Sequence, residues 1–143
     1  MCLQLLRNQG CSVKSSLDSC NLLIVDTKIN SNDVSFIVDT GATSNFIDKT
    51  YVKYNLQTNK IKDDNNTVLI PNSEFVSTST VDLEFDLNNN SYNSSFIVCD
   101  FSNQIEFLKS QYEYNKNVCG ILGNSFLLEN NAVINYKTKK IVL

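Results

Sequence analysis

The segment Phe36-Ile37-Val38-Asp39-Thr40-Gly41-Ala42-Thr43-Ser44 runs an apolar strand into an acid, a hydroxyl and a glycine. The apolar run buries the backbone up to Asp39. Gly41 then permits a tight turn with amides close to the carboxylate, and Thr40, Thr43 and Ser44 offer it hydrogen bonds. A carboxylate held this way can stay ionised, or share a proton, at the edge of a dry site. A plain β-turn with aspartate in its favoured position carries the same letters, so the tripeptide does not decide alone.

What the chain lacks narrows the chemistry further. It has no histidine, which removes Ser-His-Asp and Cys-His nucleophilic catalysis, His-ligated zinc and every imidazole proton shuttle. Gly10, Gly41, Gly120 and Gly123 are the only glycines, too few and too scattered for a phosphate-cradling loop or a dinucleotide fingerprint. The five cysteines, Cys2, Cys11, Cys20, Cys99 and Cys119, form no C-x-x-C pair and read as small buried thiols in a reducing compartment. Asp63-Asp64 has no calcium-loop spacing after it. No metal and no cofactor are expected. Chemistry must therefore run on carboxylates, hydroxyls, lysines or thiols.

Composition bounds the partners. The 143 residues are 42% hydrophobic and 19% charged with a net charge of -3, a globular balance with no basic surface for nucleic acid. The apolar run at Leu3, Leu5 and Leu6 stops at Arg7, too short for a signal-peptide core, and no stretch nears the roughly 18 apolar residues of a membrane span. The reading is cytoplasmic, or released from a longer precursor, with no membrane partner.

The elements that must position Asp39 are mostly strands. Leu22 to Ile29 and Val34 to Val38 form a hairpin across Asn30-Ser31-Asn32-Asp33. Phe46, Ile47, Tyr51 and Val52 fall at roughly helical spacing. Asp63-Asp64-Asn65-Asn66 reads as a loop, and Thr67 to Ile70 pairs with Phe75 onward across Pro71-Asn72-Ser73 as a second hairpin. Val81 to Leu87 alternates apolar against acidic, so Asp82, Glu84 and Asp86 form a solvated face. Phe96 to Cys99 is another strand, Gln104 to Tyr114 a helix or packed loop, and Cys119 to Gly123 a short apolar strand. Ser125 to Glu129 opens a short helix, and Ala132 to Ile134 and Ile141 to Leu143 close the chain as strands. Residues 1–20 read as an extension or first strand and 21–143 as one mostly antiparallel β domain.

A second motif joins the first. Cys119-Gly120-Ile121-Leu122-Gly123-Asn124-Ser125-Phe126-Leu127 lies downstream, followed by a closing apolar strand. In order and spacing the two motifs resemble the retroviral-type aspartic proteases, the retropepsins, over Leu22 to Leu143. The resemblance implies an all-β, closed, barrel-like acid-protease fold with one or two short helices. It implies that Asp39 is the catalytic aspartate and that the Thr40 hydroxyl ties two active-site loops together. Gly41, Ala42 and Thr43 then complete the active-site loop. Ile121-Leu122-Gly123 becomes the supporting segment, with Gly123 letting two backbones approach. The hairpin tip Ile70-Pro71-Asn72-Ser73 takes the place of the substrate-covering flap, although family flaps are usually glycine-rich. The segment Phe101 to Asn117 is also longer than a compact viral protease needs.

Such chemistry needs two aspartates in contact, sharing one proton, and the chain has a single D-[ST]-G. A two-fold homodimer brings a residue on the axis against its own copy. The reading is therefore a homodimeric aspartic endopeptidase acting on a peptide or protein. The alternative is a dimer that keeps the fold and binds a peptide or partner without cutting it. Were a thiol to act instead, Cys119 beside the glycine turn would be its first candidate.

Overall fold

Two-residue turns set the strand register. The structure, a computed structural model, describes residues 12–17, 22–57, 61–68, 76–111 and 117–143. Strands β2 (Leu23–Ile29) and β3 (Asn32–Val38) pair antiparallel across Asn30-Ser31, whose φ angles are 49° and 66°. Strands β6 (Val76–Leu87) and β7 (Asn90–Cys99) pair across Asn88-Asn89, at 49° and 64°. Positive φ at both central residues matches the twist of the flanking strands, and asparagine tolerates it.

The remaining elements are β1 (Ser12–Leu17), β4 (Phe46–Asp48), α1 (Lys49–Asn55), β5 (Ile61–Val68), α2 (Ser102–Gln111), β8 (Val118–Leu122), α3 (Asn124–Glu129), β9 (Val133–Asn135) and β10 (Lys140–Val142). The sheet runs β5-β6-β7-β4-β8-β3-β2-β1-β10-β9, and a further β2–β6 pairing at Lys28 and Asp86 closes six of these strands into a barrel. All pairings are antiparallel except β3–β8 and β4–β7. The fold is mostly β, a closed barrel with three short helices among the described residues.

Side-chain alternation explains which faces meet. Val81, Leu83, Phe85 and Leu87 are buried while Asp82, Glu84 and Asp86 between them are exposed. In β3, by contrast, Val34, Ser35, Phe36 and Val38 are all buried and Ile37 is half-buried, so both faces of this strand are covered. Phe36 stacks on Phe96 with centroids 5.3 Å apart and meets Phe85 edge-on at 5.4 Å, and Phe126 of α3 joins Phe85. This aromatic cluster is the centre of the core.

Two expectations change in detail. Phe46 and Ile47 belong to a short strand, not to the helix. Asp48 ends that strand, and its carboxylate accepts from the Tyr51 N–H to cap α1. Asp63 to Asn66, expected as a loop, lie within β5, where the register against β6 shifts between Asp64 and Thr67. The C-terminal strand β10 pairs with β1 and β9 of its own chain. Ile141, Val142 and Leu143 are buried there.

Candidate active site

Asp39 is the first residue beyond β3, and its N–H still donates to the Leu122 carbonyl at 3.0 Å, extending the β3–β8 ladder by one bond. The chain then turns sharply. Ala42 N–H returns to the Asp39 carbonyl at 3.2 Å, and Gly41 N–H donates to Asp39 Oδ1 at 2.8 Å. The strand thus carries the carboxylate to the rim, and the turn fixes one of its oxygens while the side chain stays exposed. Gly41 serves here by its small size, since no described glycine has a positive φ. A Cβ on Gly41 would sit 3.1 Å from Asp39 Oδ1.

The loop after the turn is fastened to the loop between β8 and α3. Asn124 N–H donates to the Ala42 carbonyl at 2.8 Å, Ser125 N–H to the Thr43 carbonyl at 3.2 Å, and the Asn124 side chain to the Thr40 carbonyl at 2.8 Å. Gly123 lies at the crossing. A Cβ there would stand 2.1 Å from the Ser44 carbonyl oxygen and 2.9 Å from that of Ala42, so only glycine allows this approach.

Asn45 locks the crossing from beneath. It is 1% exposed, and its Oδ1 accepts from Gly123 N–H at 2.9 Å. Its Nδ2 donates to Ser94 Oγ at 2.9 Å and to the Ser95 carbonyl at 3.2 Å, while its own carbonyl accepts from Ile97 N–H. One side chain therefore joins the Asp39 loop, the Gly123 loop and β7. Nothing in its residue type sets it apart, because it is one of 21 asparagines. A polar residue set directly before the apolar Phe46-Ile47 pair was the available signal.

The chain has the retropepsin-like fold. It superposes with a TM-score of 0.61 on the retroviral protease-like domain of Ddi1 from Leishmania major, at 15% identity over 85% of this chain and 87% of that one. A retropepsin-like aspartic protease from Rickettsia conorii gives 0.60 at 18% identity, covering 93% and 89%. The EIAV protease, solved with the inhibitor HBY-793, gives 0.59 at 13% identity, covering 84% and 98%. No family model matches the chain, and no curated protein matches its sequence.

On this retropepsin-like frame a groove of about 440 Å³ opens beside Asp39. Leu22, Ile37 and Ile121 supply apolar walls, and Asn103, Gln104 and Phe107 of α2 face them. The segment Ile121-Leu122-Gly123 therefore divides its work. Ile121 is half-buried in the groove, Leu122 is buried in the core, and Gly123 sits at the loop crossing. Thr40 and Thr43 are exposed and Ala42 is half-buried. The expected flap tip, Ile70 to Ser73, lies outside the described residues.

Cys119 is not built as a nucleophile. It is 1% exposed, and burial, reinforced by the nearby Asp48 charge, pushes its thiol far up. That is the reverse of the activated thiolate a reactive cysteine requires. Among the described residues no group of three or more Cys, Asp or Glu side chains is placed to hold a metal ion, and no helix is long and apolar enough to cross a membrane.

Proposed function

We propose that the protein is an aspartic endopeptidase that works as a homodimer, each chain supplying one Asp39. The observation that carries this reading is the Asp39 turn itself. It holds an exposed carboxylate at the end of a buried strand, with one oxygen on a backbone N–H, beside an apolar groove. A single such carboxylate cannot act both as base and as acid.

Two copies related by a two-fold axis at Asp39 complete the pair. At contact the two carboxyls hold one proton between them. The ionised member takes a proton from a bound water while the protonated member gives its own to the scissile carbonyl oxygen. The water oxygen bonds to the carbonyl carbon, giving a neutral gem-diol. The newly protonated carboxyl then gives its proton to the amide nitrogen while the other carboxylate takes one from a gem-diol hydroxyl, so the C–N bond breaks, acid and amine leave, and one proton again lies between the pair. Neither metal nor histidine has a part in these steps. Strand β9 ends the sheet with β10 as its single neighbour among the described residues, which leaves a backbone edge for a second copy.

The test is cleavage of a random peptide pool by the wild-type chain and by Asp39→Asn. The isosteric amide keeps the turn but cannot serve as base, so hydrolysis should fall by about a thousandfold or more. Activity within tenfold of wild type would remove Asp39 from the chemistry. A wild-type chain that binds peptides and cuts none would make the domain a binding module.

A further inference from the structure

Asp48 is the one buried carboxylate among the described residues, 5% exposed, and the proposed chemistry makes no use of it. A carboxylate taken out of water is costly unless donors occupy it. Here two helix starts do so, one on each oxygen. Oδ2 accepts from the Tyr51 N–H at 3.3 Å, at the start of α1. Oδ1 accepts from the Phe101 N–H at 3.2 Å and from the Ser102 hydroxyl at 3.4 Å, where α2 begins. Ser102 Oγ also pairs with Thr50 Oγ1 at 2.9 Å, and the Ser102 N–H donates to Asp100 Oδ1 at 3.3 Å.

Capping α1 requires one acceptor, which serine, threonine or asparagine supplies as well as aspartate does. The second oxygen is what α2 uses. That helix lies in the segment Phe101 to Asn117, the stretch longer than a compact viral protease needs. Its Asn103, Gln104 and Glu106 are exposed and Ile105 is half-buried, so burial does little to fix this first turn and a half. Asn103 and Gln104, directly after the Ser102 tie, line the groove beside Asp39 together with Phe107.

We infer that Asp48 is a positioning residue for the groove: its Oδ1 sets where α2 starts, and through that start the helix side that borders the groove. This inference rests on the reading of the groove as a peptide site. Asp48 itself does not line the groove. The Asp39 turn is fastened separately, to Leu122 and Asn124. A displaced α2 therefore changes how well a peptide is held and leaves the reacting carboxylate where it was. Hydrogen bonds to an ionised acceptor are the stronger kind, so losing the carboxylate matters more than losing the hydroxyl.

The experiment compares full-length wild type, Asp48→Asn, Ser102→Ala and Ser102→Thr. Hydrogen exchange reads the helix, and kinetics use the peptide cut fastest from the random pool. Binding of the fluorescein-labelled pool is read by anisotropy with each change added to Asp39→Asn. Asparagine keeps one acceptor where two helices need one each, and Ser102→Ala removes the α2 tie while α1 keeps its cap. Amides of α2 should exchange about tenfold faster in Ser102→Ala and faster still in Asp48→Asn, with β3 and β8 unchanged. KM should rise about fivefold in Ser102→Ala and further in Asp48→Asn, with kcat within about twofold of wild type. Ser102→Thr restores a hydroxyl and should restore both readings.

Unchanged α2 exchange in both Asp48→Asn and Ser102→Ala overturns the inference, as does a looser α2 with KM and pool binding unmoved. So does a loss confined to kcat, or the absence of pool binding by Asp39→Asn. Should Asp48→Asn not fold, Ser102→Ala decides alone. A wild-type chain that cuts no peptide, while Ser102→Ala still loosens α2 and weakens pool binding, removes the protease reading and leaves this one standing. A wild-type chain that cuts, with α2 exchange and KM indifferent to both substitutions, does the reverse.

Discussion

Asp39 and Asp82 are both exposed carboxylates at the surface of one barrel, and their surroundings differ in kind. Asp82 lies on the polar face of β6. Lys62 Nζ stands 2.8 Å from its Oδ2, the Ser95 hydroxyl donates to Oδ1, and these contacts pull its pKa below the ordinary carboxylate value. Asp39 has a backbone N–H on one oxygen and, among the described residues, no cation against it. Beneath Asp82 is an alternating strand that would fold with many other residues at its exposed positions. Beneath Asp39 are a glycine crossing, a buried asparagine and two loops joined by backbone hydrogen bonds. One carboxylate is held by a cation and a hydroxyl of its own chain, and the other by a single backbone N–H among the described residues.

The sharpest way to break this contrast is to remove the floor under the turn. Ile141 and Leu143 pack against Val38, Leu122 and Leu127, the side chains directly below Asp39 and Gly123. Deleting Lys140 to Leu143 strips away three buried apolar side chains, each worth about 1.5–3 kcal/mol. The truncated chain should therefore lose its cooperative urea transition altogether, and not simply its dimer. A truncated chain that unfolds like wild type but sediments as a monomer would place these residues at an interface instead.

Gly123→Ala comes next. The added Cβ meets the Ser44 carbonyl at 2.1 Å with backbone on both sides, so overpacking should cost about 3 kcal/mol in chemical denaturation and disable hydrolysis. Asn45→Ala should cost about 1–3 kcal/mol, because Gly123 N–H loses its buried acceptor. With the turn loosened, kcat should fall more than KM rises. An Asn45→Ala chain of wild-type stability would dissolve the supposed difference between the two carboxylates.

The smallest effect belongs to Asp82→Asn. The folded pKa of Asp82 is depressed, chiefly by the Lys62 hydrogen bond and then by Ser95. Its stabilisation is present above the unfolded value of 3.8 and fades as pH falls through the folded one. Exposure to solvent keeps this contribution small. Melting temperatures at pH 6 and pH 3 should show a slightly shallower acid dependence in Asp82→Asn, with hydrolysis unchanged.

Much of this fold is legible in the sequence because its signals are local. The alternation of Val81 to Leu87, the turn-forming run at Asn30-Ser31 and the apolar run into Asp39 each specify their element without help from elsewhere. The D-T-G and I-L-G motifs likewise mark the two loops that meet. What escapes is what depends on distant partners. Asn45 looks like any other asparagine until Gly123 and Ser94 come within reach of its amide. The groove face of α2 is invisible for the same reason, as its neighbours Leu22 and Ile37 lie far away along the chain. The Asp63 to Asn66 stretch shows the opposite case, where Asp63 and Asp64 pair with Ser79 and Thr78 of β6 and Asn65-Asn66 fall at the shift in register.

The central claim is that two chains each supply one Asp39, and mixing tests it directly. Wild-type and Asp39→Asn chains would be combined in increasing proportion at fixed total concentration, allowed to exchange, and assayed on one peptide. If both carboxylates are needed, only wild-type pairs work, and an equal mixture should retain about a quarter of the wild-type rate. A rate that falls in simple proportion, to about half at equal mixing, would mean that each chain works alone and would contradict the shared site.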